Sequence, residues 1–65
     1  MPQPPDDHED QVVHNLKNHL AIIIGFSDLM LSEMPEDHPH RHDMTEINNA
    51  ARDALAEIRS LRRKR

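Results

Sequence analysis

The sequence has no cysteine, tryptophan or tyrosine, and only one phenylalanine and one glycine among its 65 residues. Without cysteine the chain forms no disulfide bond and no cysteine-ligated zinc site. With a single aromatic residue it cannot build the aromatic core that stabilises many small domains. A domain of this size buries a modest share of its surface, so oligomerisation is the remaining common source of stability.

Long apolar runs are also missing, and the N-terminal segment is acidic rather than basic. The sequence therefore predicts neither a transmembrane helix nor a secretory signal, and we expect a cytoplasmic location. The net charge of −4 is unevenly spread, because ten of the twelve acidic residues lie in residues 1–46 and six of the eight basic residues lie in residues 47–65. A basic end suits the C-terminal dipole of a helix, and we do not expect nucleic acid as a partner.

A first amphipathic helix is predicted from about residue 7 to residue 34. The proline-containing residues 1–6 precede it as a loose leader, and Asp6 or Asp7 is a suitable N-cap. Pro35 disfavours helical geometry at the residue before it, so the helix should end there.

A second helix is predicted from about residue 39 to residue 62, followed by a basic tail at residues 63–65. Pro39 fits the first turn of a helix, with Asp37 or His38 as the cap. A connection of about four residues favours an antiparallel hairpin, and the predicted fold class is all-α.

Each helix has an apolar stripe. At about 100° per residue, one broad arc of the first helix holds ten apolar residues: Val12, Val13, Leu16, Leu20, Ile23, Ile24, Phe26, Met30, Leu31 and Met34. The second helix has an a/d seam made of Met44, Ile47, Ala51, Ala54, Ile58 and Leu61. Two helices cannot cover both stripes, so we expect two hairpins to pair as a homodimeric four-helix bundle.

His14 lies nearly opposite the middle of the first arc, with Asn18, Ala21, Gly25 and Asp28 close to its line. The segment His14-Asn15-Leu16-Lys17-Asn18-His19-Leu20 resembles the H-box of sensor histidine kinases, most of all the His-Asp-Phe-Asn-Asn-Leu-Leu form of nitrogen-regulation-type kinases. The segments 21–31, 34–39 and 47–61 are similar to the residues, loop and second helix that follow in that family. The resemblance covers residues 10–62 and implies a dimerisation and histidine-phosphotransfer domain.

The resemblance implies specific roles for residues of the first helix. His14 would be the phosphoacceptor in two-component signalling, exchanging phosphate with the aspartate of a response regulator. Asn18 matches the position that orients water when the family dephosphorylates a regulator. We expect the receiver domain to dock on a surface formed by Lys17, Ala21, Ile22, Gly25 and Leu29, in addition to Asn18.

Two departures bear on the activity. Asn15 replaces the acidic residue that serves the family as a base for autophosphorylation, which leaves transfer from a regulator as the better supported reaction. His19 replaces a proline that often bends the helix. These 65 residues contain no glycine-rich phosphate loop and leave no room for an ATP-binding domain. The sequence therefore represents either an excised domain or a stand-alone phosphotransfer module. A kinase ATP-binding domain could act on it in trans, and Mg²⁺ is expected only on a partner. Whether the chain is itself an enzyme stays open at this point.

Three alternatives remain. The chain could be a non-catalytic dimerisation or regulator-binding module, or a phosphatase cofactor that uses Asn18 without a stable phosphohistidine. The third is a metal site, because His38 and His42 would share a helix face if the second helix began early, with His40, Asp37 and Asp43 nearby. That stretch has no fixed third ligand, and we predict no metal and no bound cofactor in this chain.

Overall fold

The computed structural model describes the backbone of residues 6–63 and the side chains of residues 11–61, and it contains two α-helices. Helix α1 is Asp6–Glu33 and helix α2 is Arg41–Arg63. They pack side by side as an antiparallel hairpin with extents of 58 × 19 × 13 Å. The prediction of an all-helical hairpin is confirmed. The leader at 1–6 and the tail at 63–65 fall almost entirely outside the described residues, as do the side chains of Asp6 and Asp7.

The connection between the helices consists of two consecutive turns. The amide of His38 donates to the carbonyl of Pro35 at 3.0 Å, and the amide of Arg41 donates to the carbonyl of His38 at 3.1 Å. Pro39 is therefore the second residue of a turn, a position that its fixed φ suits. For this reason α2 begins two residues after the predicted start. The carbonyl of His40 accepts from the amide of Met44 at 3.0 Å, so His40 is the capping position instead of Asp37 or His38.

An arginine from α2 satisfies the C-terminal end of α1. The last turn of α1 contains no basic residue of its own. Nη1 of Arg41 donates to the carbonyl oxygens of Leu31 at 2.8 Å and of Met34 at 2.9 Å. The carbonyl of Leu31 lies in the last turn of α1 and also accepts from the amide of Met34 at 3.3 Å, and Met34 follows the end of the helix. A cation at this end also complements the helix dipole. Arg41 thereby ties the end of α1 to the beginning of α2.

The two helices meet along residues spaced alternately by three and four, which we call the seam. All of these side chains are buried or half-buried: Val13, Lys17, Leu20, Ile24, Ser27 and Leu31 in α1, and Arg41, Met44, Asn48, Ala51, Leu55 and Ile58 in α2. The most buried are Ser27, Asn48 and Ala51, which are 3%, 6% and 5% exposed. The middle of the seam is thus formed by small and polar side chains.

The positions one residue before the seam form a second surface, most of whose residues are exposed and apolar, and we call this surface the apolar side. In α1 it contains Val12, Leu16, Ile23, Phe26 and Met30, and in α2 it contains Ile47, Ala50, Ala54 and Leu61. Its polar residues are His19, His40, Asp43 and Glu57, and Ala54 is half-buried. One residue corresponds to about 100° around a helix. Because the helices are antiparallel, a step back from the seam leads to the same side of the hairpin in both of them. The largest exposures are 65% for Phe26 and 66% for Leu61.

The a/d seam predicted for the second helix is divided between two surfaces, and Met44, Ala51 and Ile58 of that stripe lie against α1. Ile47 and Leu61 are exposed on the apolar side, whereas Asn48 and Leu55 face α1. The predicted arc of the first helix is likewise divided between the seam and the apolar side. The sequence pattern was assigned by apolarity alone, and it therefore combined two neighbouring surfaces into one.

Candidate functional site

The residues one position after each seam residue form the opposite surface, which we call the polar side. In α1 these residues are His14, Asn18, Ala21, Gly25, Asp28 and Ser32, and in α2 they are His42, Thr45, Asn49, Arg52, Ala56 and Arg59. The α1 row is the line on which the sequence predicted the functional residues. The geometry of the hairpin therefore places that line on one continuous surface, turned away from the apolar side.

His14 and Asn18 are exposed and lie one helical turn apart on the polar side. Four residues correspond to about 6 Å along a helix. Ala21 and Gly25 continue the same row toward the C-terminal end of α1, and a Cβ atom added to Gly25 would meet nothing within 4 Å. No other part of the described chain approaches that glycine. The row therefore offers an accessible imidazole, an accessible amide and a stretch of helix with little side-chain bulk.

The remaining predicted docking residues lie elsewhere around α1. Lys17 is half-buried in the seam. Ile22 and Leu29 are 56% and 52% exposed, on the back of α1 that faces away from α2. They flank Gly25 along the helix, one turn on either side. The structure thus brings Ile22, Gly25 and Leu29 together and separates them from Lys17.

A polar cluster in the middle of the hairpin was not predicted. Nδ2 of Asn48 donates to Oγ of Ser27 at 2.7 Å and to Oδ1 of Asp28 at 2.7 Å, and Oδ1 of Asn48 accepts from Nε of Arg52 at 2.8 Å. Arg52 also pairs with the Asp28 carboxylate at 2.8 Å. The available signal was the spacing of Asn48, which continues the three-and-four pattern through Met44, Ala51 and Leu55. We missed it because an asparagine is seldom a core residue.

The histidines of the connection are held by local contacts. Nδ1 of His38 accepts from the backbone amide of His40 at 3.0 Å, and Nδ1 of His40 lies 4.0 Å from the Asp43 carboxylate. His38 and His42 do not share a helix face, because α2 begins after His38. Within the described residues, no group of three or more metal-ligating side chains converges. A shallow depression of about 360 Å³ beside the connection is lined by Glu36, Asp37, His38, Arg41, His42 and Thr45.

No family model, curated protein or solved structure matches the chain. In the part of the chain that the structure describes, neither helix has an apolar stretch of the length and hydropathy that crossing a membrane requires. An exposed neutral imidazole can act as a nucleophile, and a neighbouring amide can hold a water molecule without itself being ionised.

Proposed function

We propose that the chain is a dimerisation and histidine-phosphotransfer module of two-component signalling. His14 accepts a phosphoryl group from the aspartate of a response regulator or returns it to that aspartate. Asn18 positions water when the regulator is dephosphorylated. The single observation that carries the proposal is the row His14, Asn18, Ala21 and Gly25, which is exposed along one surface of α1.

The arrangement suits in-line phosphoryl transfer between two proteins. Such a transfer depends mainly on positioning, and a helix holds an imidazole in a fixed direction. An imidazole nitrogen of His14 forms the N–P bond while the P–O bond of the aspartyl phosphate breaks, and the electron pair of that bond returns to the carboxylate. The Mg²⁺ that neutralises the phosphate would be bound by the regulator.

The surroundings of His14 leave space for a receiver domain. Ala21 and Gly25 carry little side-chain bulk, so a partner can approach the helix backbone closely. Ile22 and Leu29 supply exposed apolar contacts on the adjoining back of α1, and they are 56% and 52% exposed. This combination of an apolar patch with a neighbouring polar group is typical of a specific protein interface.

The apolar side supports dimerisation by a second copy of the chain. Exposed residues at three-and-four spacing run along both helices on that side, from Val12 to Met30 and from Ile47 to Leu61. Two hairpins that join these surfaces would form a four-helix bundle in which each helix uses two neighbouring stripes. His14 would then remain on the outside of the bundle. The expected location of such a module is the cytoplasm.

The decisive experiment is phosphate transfer from receiver domains that have been phosphorylated with acetyl phosphate. The wild-type chain should acquire acid-labile, alkali-stable phosphate, and mass spectrometry should locate it on His14. His14→Ala should abolish this uptake without loss of helicity, because substitutions at exposed positions usually change stability by within about 0.5 kcal/mol. His42→Ala is the matched control, since His42 is also an exposed histidine of the polar side.

Asn18→Ala separates the second role from the first. It removes no nucleophile, so phosphate uptake on His14 should persist, whereas loss of phosphate from the regulator should slow because no amide positions the water. Binding of the unphosphorylated receiver domain must be measured for each variant. Uptake that survives in His14→Ala would contradict the phosphoacceptor role. Receiver binding without any uptake would favour the non-catalytic regulator-binding module.

A further inference from the structure

Apolar burial alone does not determine which faces of α1 and α2 pack against each other. Each helix has two apolar stripes one residue apart, namely the seam and the apolar side. In α1 the seam offers Leu20, Ile24 and Leu31, and the apolar side offers residues of similar size such as Leu16, Ile23 and Met30. Hydrophobic burial is non-directional and roughly proportional to area. Burial therefore gives little reason for α2 to pack on one stripe of α1 rather than on the other.

Hydrogen bonds do distinguish the two stripes, because they are directional. Apart from Arg41 at the connection, every side-chain hydrogen bond between the helices in the described residues comes from one cluster: Ser27, Asp28, Asn48 and Arg52, with the carbonyl of Ile24. Ser27 and Asn48 are 3% and 6% exposed. None of the described buried polar side-chain atoms lacks a partner.

We infer that the Ser27–Asn48 pair selects which faces of α1 and α2 meet within one chain. In the observed pairing, Nδ2 of Asn48 donates to Oγ of Ser27 at 2.7 Å, and Oγ of Ser27 donates to the carbonyl of Ile24 at 3.1 Å. A rotation that brought the two apolar sides together would move Ser27 and Asn48 apart and break this bond. The selection operates within a single chain and stands whether or not His14 accepts phosphate.

The same pair also fixes the register along the helices. In the observed register Ser27 lies opposite Asn48. From that pair, helical spacing in antiparallel helices places Ile24 and Leu31 opposite Ala51 and Met44. A slip of seven residues keeps the apolar pattern but places Asn48 opposite another aliphatic side chain. The Nδ2 group of Asn48 would then lose its acceptors on α1, which is costly for a buried donor, whereas Oγ of Ser27 would keep its bond to the carbonyl of Ile24. A single buried asparagine is known to specify register and pairing in coiled coils at some expense of stability.

The absence of cysteine allows the pairing to be measured by engineered disulfides. One reporter is Ile24→Cys with Ala51→Cys, whose residues face each other in the seam. The other is Ile23→Cys with Ala50→Cys, whose residues would face each other only if the apolar sides met. Disulfide formation requires a narrow range of geometry, so the intrachain product of the first reporter should exceed that of the second by about tenfold or more.

The test compares these reporters in the Ser27→Ala/Asn48→Ala background. Both substitutions are to alanine, so the polar pair is removed and no large apolar side chain is added to the seam. We expect the preference for the seam reporter to fall to about twofold or less. The directional contacts that remain between the helices are the exposed Asp28–Arg52 pair, which solvent screens, and the Arg41 bonds at the end of the hairpin. The matched control is Ser32→Ala/Asn49→Ala, which removes the same residue types from exposed positions. The control should keep the wild-type preference.

Two outcomes would overturn the inference. One is an unchanged preference in the Ser27→Ala/Asn48→Ala background, which would show that other contacts select the faces. The other is loss of helical structure in that background, which would show that the pair acts on stability rather than on selection. The exchanged variant Ser27→Asn/Asn48→Ser provides a further check. Since it retains one amide and one hydroxyl across the seam, it should restore most of the preference for the seam reporter.

Discussion

The seam and the apolar side have the same spacing but opposite composition at their centres. The middle of the seam contains Ser27, Asn48 and Ala51, and these are the most buried side chains of the described residues. The middle of the apolar side contains Ile23, Phe26 and Ile47, which are 42%, 65% and 48% exposed. Within one chain, the small and polar residues are covered and the large apolar ones face solvent.

This contrast indicates that the seam and the apolar side contribute different kinds of contact. Directional contacts lie where the helices of one chain meet, and non-directional apolar area lies where a second molecule could add its own. A monomer with so much exposed apolar surface at regular spacing is unusual, because large exposed patches commonly mark interaction sites. The same substitution can therefore be placed on each surface, and its effects on stability show whether both surfaces are covered.

The largest expected loss of stability is for aspartate substitutions in a run of three isoleucines whose side chains lie on three different surfaces. Ile22 lies on the back of α1, Ile23 on the apolar side and Ile24 in the seam. If a second copy covers the apolar side, Ile23→Asp should be about as damaging as Ile24→Asp, because both bury an unpaired charge. We expect each to destabilise the fold by about 4 kcal/mol or more, with loss of helix measured by circular dichroism.

Ile22→Asp is the internal control for this series, because it makes the same chemical change one residue away. Its effect on stability should be within about 0.5 kcal/mol, as at other exposed positions. Sedimentation of all three variants reports the oligomeric state alongside helicity. If Ile23→Asp behaved like Ile22→Asp, with wild-type stability, then the apolar side would not be covered and the bundle proposal would fail.

The helices and the direction of their packing could be predicted from the sequence because local signals determined them. Pro35 ends α1, and apolar residues at helical spacing run through both helices. The finer pairing could not be predicted in the same way. Apolarity placed Ile47 and Leu61 in one stripe with Met44, Ala51 and Ile58, and it did not indicate that Asn48 lies in the contact within the chain. The side-chain partners of that asparagine on α1 lie 20 and 21 residues away in sequence, so no local pattern contains them.

The candidate site was predictable to the extent that it lies on one helix. Because i, i+4 neighbours share a helix face, His14 and Asn18 could be placed together from spacing alone. The polar contacts of Asp28 with Asn48 and Arg52 depend on how α2 packs, and they were missed. The phosphotransfer role itself stays a prediction, because it depends on chemistry with a partner.

A smaller effect is expected at Gly25, on the polar side. Gly25→Ala should stabilise the chain by about 1 kcal/mol, because alanine is the better helix former and an added Cβ would meet nothing within 4 Å. Urea unfolding measures this gain. Ala21→Gly, one turn away on the same row, should lower the free energy of unfolding by a similar amount.

If Gly25→Ala also weakens binding of a receiver domain, then the partner approaches the helix at Gly25. A destabilising Gly25→Ala would instead mean that something already lies against this residue.

The smallest expected effect separates the exposed part of the polar cluster from its buried part. Asp28→Asn keeps an oxygen that can accept from Nδ2 of Asn48 but removes the charge that pairs with Arg52. The side chains of that ion pair are 53% and 50% exposed, so solvent screens their attraction. The loss of stability should be within about 0.5 kcal/mol in low salt and should shrink further in high salt.

Urea unfolding of the wild type and Asp28→Asn at two salt concentrations measures this difference, and Ser27→Ala under the same conditions gives the comparison. Ser27→Ala removes a partner from a buried amide, so its cost should be about 1 kcal/mol or more and nearly independent of salt. A large, salt-independent cost for Asp28→Asn would show that the carboxylate belongs with the buried pair. The buried part of the polar cluster would then include Asp28 as well as Ser27 and Asn48, and only Arg52 would belong to its exposed part.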